Sequence, residues 1–402
     1  MNSKLSVTRR ALVGAAGPLL VKPKTAFGSQ ANSAVAFGII GTGGRGTYVG
    51  TFMARDANAR LAAICDKFPD RIDNAKTKIP GADKIFSTKD YHELLGRADL
   101  DAIYIATPVY LHPEHFEAAV TTGKHIFCEK PAGADVAGCK RLLRAGEKAK
   151  KNTTIQFGYQ QRFSPEYLTA MKYLKEGRIG EMKLMMSYWV LGGVPPVARP
   201  GVDNKPFNAL TDDEKIRTWG RWEETSGGPI VEQDCHGVDT LNWFADDVHP
   251  TRALGSGGLR YPVPSGNWKT DYQNISFFYP NGIEGWLISI KHTAGYRDVK
   301  EQLYGSKGML ETSRKYYRLH GPEGNWRYPN ADDLRDLSLI EKRDSPREIT
   351  IDAVEAFFKS IVEKKPYQMW KSSAESTLTA LMGRMAVHQH REVTWDEMWK
   401  SA

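Results

Sequence analysis

The chain has 402 residues, 41% hydrophobic and 25% charged, a globular composition that is too long for one core of typical size and suits two domains. No apolar run approaches the ~18 residues needed to cross a bilayer as a helix, which excludes membrane insertion of that kind. The formal charge of +8 is no nucleic-acid signature: Lys4, Arg9, Arg10, Lys22 and Lys24 supply five of the eight before residue 34, and the remaining cations are interleaved with acids.

In chain order, "SVTRRALVGAAGPLLVKPK" sets paired arginines before a short apolar stretch broken by Gly14, Gly17 and Pro18. That is the layout of a twin-arginine export signal, expected over residues 1–34 with cleavage near Ala26 to Gly28. The expected location is periplasmic or otherwise exported, and cytoplasmic if the arginine pair is incidental. This route carries folded proteins, so a cofactor would be loaded before export.

From residue 35 to about 160, the apolar runs "VAFGII", "LAAIC", "DAIYIA", "HIFCE" and "TIQFGY" alternate with segments of helical length. Continuous apolar strands separated by helices predict a doubly wound parallel sheet covered on both faces. Between the first strand and its helix, Gly41, Gly43 and Gly46 hold G-x-G-x-x-G spacing. They supply a tight turn, close approach of backbone to a pyrophosphate, and helix–strand contact, and the helix N-terminus faces the anion. Asp66 closes the second strand 20 residues after Gly46, where a carboxylate binds the ribose hydroxyls of NAD. Lys67 beside it leaves NADP as the less favoured cofactor. Cys65, Cys128, Cys139 and Cys235 show no CxxC or metal-finger spacing, and the expected state is a buried free thiol.

Residues 161–402 change to longer β-rich runs after a helix predicted from Pro165 to Glu176. Asn281-Gly282 between two such runs predicts a hairpin and a mostly antiparallel, large open sheet. Helices from Asp352 to Glu363 and from Ala374 to His388 are expected to close the chain, the last packing back on the first domain. The whole is an α/β chain of two domains.

The stretch "DAIYIATPVYLHPEHFEAAVTTGKHIFCEKP" resembles the glucose-fructose oxidoreductase / inositol dehydrogenase / MocA family, and the likeness runs from Val35 to the C-terminal "GRMAVHQHREVTWDEM". The resemblance implies a Rossmann domain followed by an α/β domain whose open sheet often makes dimer or tetramer contacts. It implies that Thr107, Pro108 and His112 line the nicotinamide side, that Glu129 and Lys130 sit beside the ring, and that Lys130 takes part in catalysis. Arg45 joins the cofactor set, as does Gln160, which stands where an asparagine is common. Arg162 matches a family arginine. The family's D-x-x-x-H falls on Glu232 and His236, a departure in the acid.

Oxidising a C–H that bears a hydroxyl needs a base for the hydroxyl proton, and a histidine suits that role. On a continuous helix, Glu232 and His236 would be four residues apart on one face, with Lys130 disfavouring protonated histidine and stabilising an alkoxide. Tyr159, Arg162, Tyr188 and Asp234 are candidate substrate contacts, Tyr188 and Trp189 of "MSYWV" are aromatics for stacking on a sugar ring or for ordinary sheet filling, and Asp239 is expected to hold structure. Glu232, Asp234 and His236 lack metal-site spacing, so no metal is expected.

The leading expectation is an NAD-dependent oxidoreductase acting on CH–OH groups of a sugar, polyol or glycoside derivative, with tightly held NAD. The alternative uses the same cofactor for redox-neutral glycoside hydrolysis by oxidation, elimination, hydration and re-reduction. Gln233 counts against it, since the NAD-dependent N-acetylgalactosaminidases of this superfamily carry a tyrosine there. A cofactor-bound scaffold without turnover is the third class. The expected partners are a small carbohydrate and further copies of the chain, a homodimer or homotetramer through the second sheet.

Overall fold

Short strands make the first sheet: β1 (Ala36–Ile40), β2 (Arg60–Cys65), β3 (Phe86–Thr88), β4 (Ala102–Ile105), β5 (His125–Cys128) and β6 (Ile155–Phe157), all parallel, in the order β3-β2-β1-β4-β5-β6. Every residue of β1, β4 and β6 is buried, as a parallel sheet covered on both faces requires. The strand order reverses between β1 and β4, which opens a crevice beyond their carboxyl ends. Gly41 and Ala106, the residues that leave those two strands, border it. The computed structural model describes residues 34–193, 205–261, 266–321 and 339–402, of which Val35–Ala402 belong to one compact unit. The twin-arginine segment lies outside the described residues.

The second sheet has nine strands: β7 (Met182–Gly193), β8 (Arg252–Gly258), β9 (Tyr272–Phe278), β10 (Glu284–His292), β11 (Asp298–Gly305), β12 (Gly308–Ser313), β13 (Tyr316–His320), β14 (Leu339–Asp344) and β15 (Val393–Thr394). Their order is β14-β13-β12-β11-β7-β10-β9-β8-β15. β7 and β10 pair in parallel and the other neighbours antiparallel. The fold is therefore the α/β arrangement read from the sequence, a six-stranded Rossmann sheet followed by a large, mostly antiparallel one. The hairpin at Asn281-Gly282 joins β9 to β10, and Gly282 takes φ +77°, the left-handed conformation that favours glycine.

Along β7 the alternation of side chains buries Met185, Ser187 and Trp189 and leaves Met186 and Tyr188 half-buried on the other face. That parity decides which aromatic reaches the site. The Ile349–Val362 helix begins three residues earlier than predicted, because the Glu348 side chain accepts a bond from Thr350 N at 3.1 Å and caps it. Its Phe358 and Phe357 pack edge-on against Phe37 of β1 and Phe127 of β5, so this C-terminal helix docks on the first sheet. Just beyond it, Ile155 of β6 donates to Tyr367 O and accepts from Met369 N, both at 2.8 Å. The Trp370–Gln389 helix follows, longer at its start than expected. All four cysteines are buried free thiols.

Candidate active site

The glycine-rich turn follows β1 directly. Gly41 adopts φ +92°, and a Cβ there would stand 2.7 Å from Ala106 O; a Cβ on Gly46 would stand 1.9 Å from Gly41 O. Gly43 differs, for a Cβ on it meets nothing nearer than Arg71 Nη1 at 3.6 Å. The Gly44–Asp56 helix that starts here has neither a side-chain cap nor an acid in its first turn, which leaves its N–H groups facing the crevice for an anion. Asp66 is buried at the end of β2, accepting Thr42 N at 2.8 Å on one oxygen and Phe68 N at 3.0 Å on the other. Lys67, at the edge of the same crevice, pairs with Asp213 at 2.6 Å. A cleft of ≈ 300 Å³ lined by Gly41, Asp66, Arg71, Thr107, Pro108 and His115 lies between these groups. These residues fit NAD.

A polar network ties the glycine turn to the "EKP" segment. Glu129 Oε1 accepts from Arg45 Nε at 2.9 Å and from Tyr104 Oη at 3.0 Å, and its Oε2 is buried without a partner. The Gln160 amide, oriented so that both ends are satisfied, accepts from Arg45 Nη2 at 2.7 Å and donates to Gly158 O at 3.1 Å. Extending the asparagine side chain by one methylene thus still reaches Arg45. His112 is buried with Nδ1 2.7 Å from Pro131 O and Nε2 2.9 Å from Thr107 O, and burial holds its pKa below the ordinary histidine value. With both nitrogens against carbonyls, His112 is a tie between the "ATP" and "EKP" loops, not a group open to a ligand. Thr107 Oγ1 in turn meets His115 Nδ1 at 3.0 Å.

Lys130 Nζ donates to Glu232 O at 2.5 Å and lies 3.4 Å from Glu232 Oε1. Burial opposes the ammonium charge, but Glu232, Cys235 and Glu129 outweigh it and hold the pKa above its usual value. His236 is buried against two aromatic walls, stacked on Trp189 with ring centroids 5.2 Å apart and edge-on to Tyr159 at 5.9 Å. Its pKa is driven well below the ordinary histidine value by burial first, then by the charges of Lys130, Arg314 and Arg45. Nδ1 of His236 is buried and without a partner. The arrangement keeps a neutral imidazole beside an ammonium, which suits a base that removes a hydroxyl proton while the cation stabilises the alkoxide.

Beyond His112, five expectations need correction. Glu232 and His236 do not share a continuous helix: Gly228–Glu232 and Cys235–Phe244 are separate helices broken at Gln233 and Asp234, where Gln233 and Asp234 both donate to Pro229 O. What joins the acid to the site is Lys130. Asp234, swung outward by the break, is fully buried against the second sheet in an ion pair with Lys291 and a hydrogen bond from Gln273, so it is no substrate contact. Arg162 is likewise occupied, forking onto Asp239 with two bonds of 2.8 Å and pairing with Asp247 at 2.7 Å. Tyr159 is buried with its hydroxyl 3.5 Å from Thr377 Oγ1, leaving its ring edge as a wall for His236. Tyr188 points to the far face of β7, under Lys300, and Trp189 takes the site face. Among the described residues, no group of three His, Cys, Asp or Glu side chains is placed to hold a metal. Sequence reasoning missed Tyr104 and Arg314, which belong to no motif spacing.

Two family models match the chain: an oxidoreductase family with an NAD-binding Rossmann fold over residues 35–157, and that family's C-terminal α/β domain over residues 200–376. Inositol 2-dehydrogenase of Rhizobium meliloti (strain 1021) is 31% identical over 279 residues, covering 69% of this chain and 74% of that protein. The chain belongs to the Gfo/Idh/MocA family. This Gfo/Idh/MocA protein is an NAD-dependent oxidoreductase. It is also 25% identical over 248 residues to 2,7-anhydro-N-acetylneuraminate hydratase of Escherichia coli (strain K12), covering 62% of this chain and 59% of that one. In fold it is similar to levoglucosan dehydrogenase in complex with NADH and levoglucosan, with a TM-score of 0.70 at 18% identity over 90% of this chain and 99% of the other. Among the described residues, no helix is long and apolar enough to cross a membrane.

Proposed function

We propose that the enzyme oxidises a CH–OH group of a sugar or polyol, with His236 as the base, Lys130 as the cation that stabilises the alkoxide, and Glu232 as the carboxylate that positions Lys130. The observation that carries this reading is the buried His236 ring, stacked on Trp189 at 5.2 Å and edge-on to Tyr159 at 5.9 Å, with burial and the Lys130 charge both favouring its neutral form. When bound, NAD supplies the hydride acceptor at the end of the crevice held by Gly41, Gly43, Gly46 and Asp66. Trp189 and Tyr159 exclude water from the imidazole and fix its plane. The inositol and levoglucosan dehydrogenases among its relatives and structural neighbours support the polyol and sugar class.

Export by the twin-arginine segment, tight retention of NAD and assembly through the outer face of the second sheet complete the proposal. Free NAD is scarce outside the cytoplasm, so an exported enzyme would have to keep and regenerate its own. A second reading is redox-neutral cleavage of a glycoside, favoured by the relative named as a hydratase. One experiment tests both: the purified protein is incubated with free polyols, free sugars and aryl glycosides, with and without added NAD. Stoichiometric NADH formation supports the oxidoreductase, aglycone release without net NADH supports the second reading, and activity retained in Lys130→Met overturns the assigned chemistry.

A further inference from the structure

The tip of the hairpin between β12 and β13 carries Arg314 to within 5.2 Å of the Trp189 ring, the same indole that stacks on His236 at 5.2 Å. Arg314 is half-buried and makes no hydrogen bond or ion pair with any described residue, and its Nε is a buried donor without a partner. Apart from the face it lays on the indole, a guanidinium in that condition gives up part of its hydration for no hydrogen bond, which a fold tolerates where a ligand completes it. The nearby carboxylates do not complete it. Glu301 is occupied on both oxygens by Tyr167 Oη at 2.6 Å and Ser187 Oγ at 3.2 Å, and Glu348, whose Oε1 accepts from Thr350 N and Oγ1, makes no ion pair with Arg314.

Arg314 lines a cleft of ≈ 410 Å³, and the other walls repeat its sign. Arg297, exposed, also has no ion pair with a described residue, and Arg347 shares the lining, held by Asp352 at 2.9 Å and Glu355 at 2.7 Å. Two acids line the cleft, Asp298, neutralised by Lys300 at 3.2 Å, and Glu348, against the four cations Arg297, Arg314, Lys315 and Arg347. The cleft therefore presents an excess of positive charge one indole away from the proposed base. Guanidinium groups grip carboxylate, phosphate and sulfate through paired N–H donors.

We propose that the cleft of Arg314 and Arg297 binds an anionic substituent of the substrate, so that the enzyme acts on an acidic sugar: a sugar carboxylate, or a phosphate or sulfate ester. This rests on the sugar-oxidising reading above for the reacting end, whereas the anion site stands on its own geometry. A neutral polyol would leave the cleft cations unpaired, and the site would select against it.

The test measures binding and turnover separately, on the full chain loaded with NAD. Titration calorimetry with glucose, glucuronate, glucose 6-phosphate and glucose 6-sulfate compares the wild type with Arg314→Met and, should that variant misfold, with the exposed Arg297→Met. At least one anion is expected to bind roughly 10- to 100-fold more tightly than glucose, and each substitution to erase most of that difference. The carboxylate, phosphate and sulfate arms identify the anion class. Equal binding of glucose and all three anions, or a preference that survives both substitutions, overturns the anion site. Anion binding through Arg314 without any redox change or bond cleavage in bound sugars leaves the anion site in place and overturns the sugar-oxidising reading.

Discussion

The Trp189 indole lies nearly parallel to the His236 imidazole, with an interplanar angle of 15° and ring centroids 5.2 Å apart. The contact works in two ways, holding the base in one plane and keeping water from its face. Trp189→Ala should therefore admit water and let the His236 pKa rise toward 6.5, the value of a free histidine. An NMR titration of the His236 ring reads it directly, and an unchanged midpoint would show that the indole does not control the base.

Lys130→Met removes one of the charges that depress His236. Turnover is expected to fall by roughly 10²- to 10³-fold, the usual loss for one transition-state charge partner. The acid limb of the residual kcat/KM profile should move to higher pH, because the imidazole protonates more readily without the ammonium beside it. Loss of rate with a stationary acid limb would separate the two roles.

Histidines buried in the neutral form make the fold acid-sensitive. His115 is held down to about 3 by burial first and then by His112, and His112 and His236 are also depressed chiefly by burial. Below pH 6.5 the unfolded chain takes up protons that these sites refuse, so stability is full above that pH and falls as pH drops toward the folded values. Each such histidine contributes up to ~1.4 kcal/mol per pH unit in that window. Denaturant melts between pH 7 and 5 should show the fall, with a shallower slope in His115→Gln.

The glycines of the turn should separate folding from cofactor binding. Gly46→Ala places a methyl 1.9 Å from Gly41 O and is expected to disrupt the turn itself. Gly43→Ala meets only Arg71 at 3.6 Å, so the protein should fold normally and lose NAD affinity by an order of magnitude or more. Fluorescence titration with NADH, alongside thermal melts, distinguishes them; full affinity in Gly43→Ala would contradict close backbone approach at that residue.

Arg162 holds Asp239 and Asp247 together under the ring of Trp243. Arg162→Met leaves Asp239 buried and unpaired, a cost of about 3–5 kcal/mol. The expected signature is a lowered denaturation midpoint with KM unchanged. A raised KM at unchanged stability would restore Arg162 to the substrate.

Where function was written in local spacing, the sequence disclosed it. Gly41, Gly43, Gly46 and Asp66 belong to one strand–turn–helix–strand unit whose geometry follows from chain order, and the apolar runs disclosed both sheets. The errors arose where long-range pairing decides. The Glu232/His236 spacing implied a shared helix face, yet Lys291, more than fifty residues away, draws Asp234 to the sheet across the break. Tyr188 and Trp189 are neighbours, and only the register of β7 says which faces inward. Arg314 reaches the site from a hairpin tip with no motif around it.

The closing segment of the chain bears on how such enzymes are recombined. Residues Tyr367 to Met369 stitch onto the edge of β6, and β15, some twenty-five residues later, pairs with β8 at the border of the other sheet. One stretch therefore finishes both layers. A chimera that joins the Rossmann half of one relative to the catalytic half of another at the boundary after β6 inherits a mismatched clasp between β6 and Tyr367 to Met369. Grafts that exchange individual loops, such as the β12–β13 tip, leave that clasp whole and are the sounder route to altered specificity.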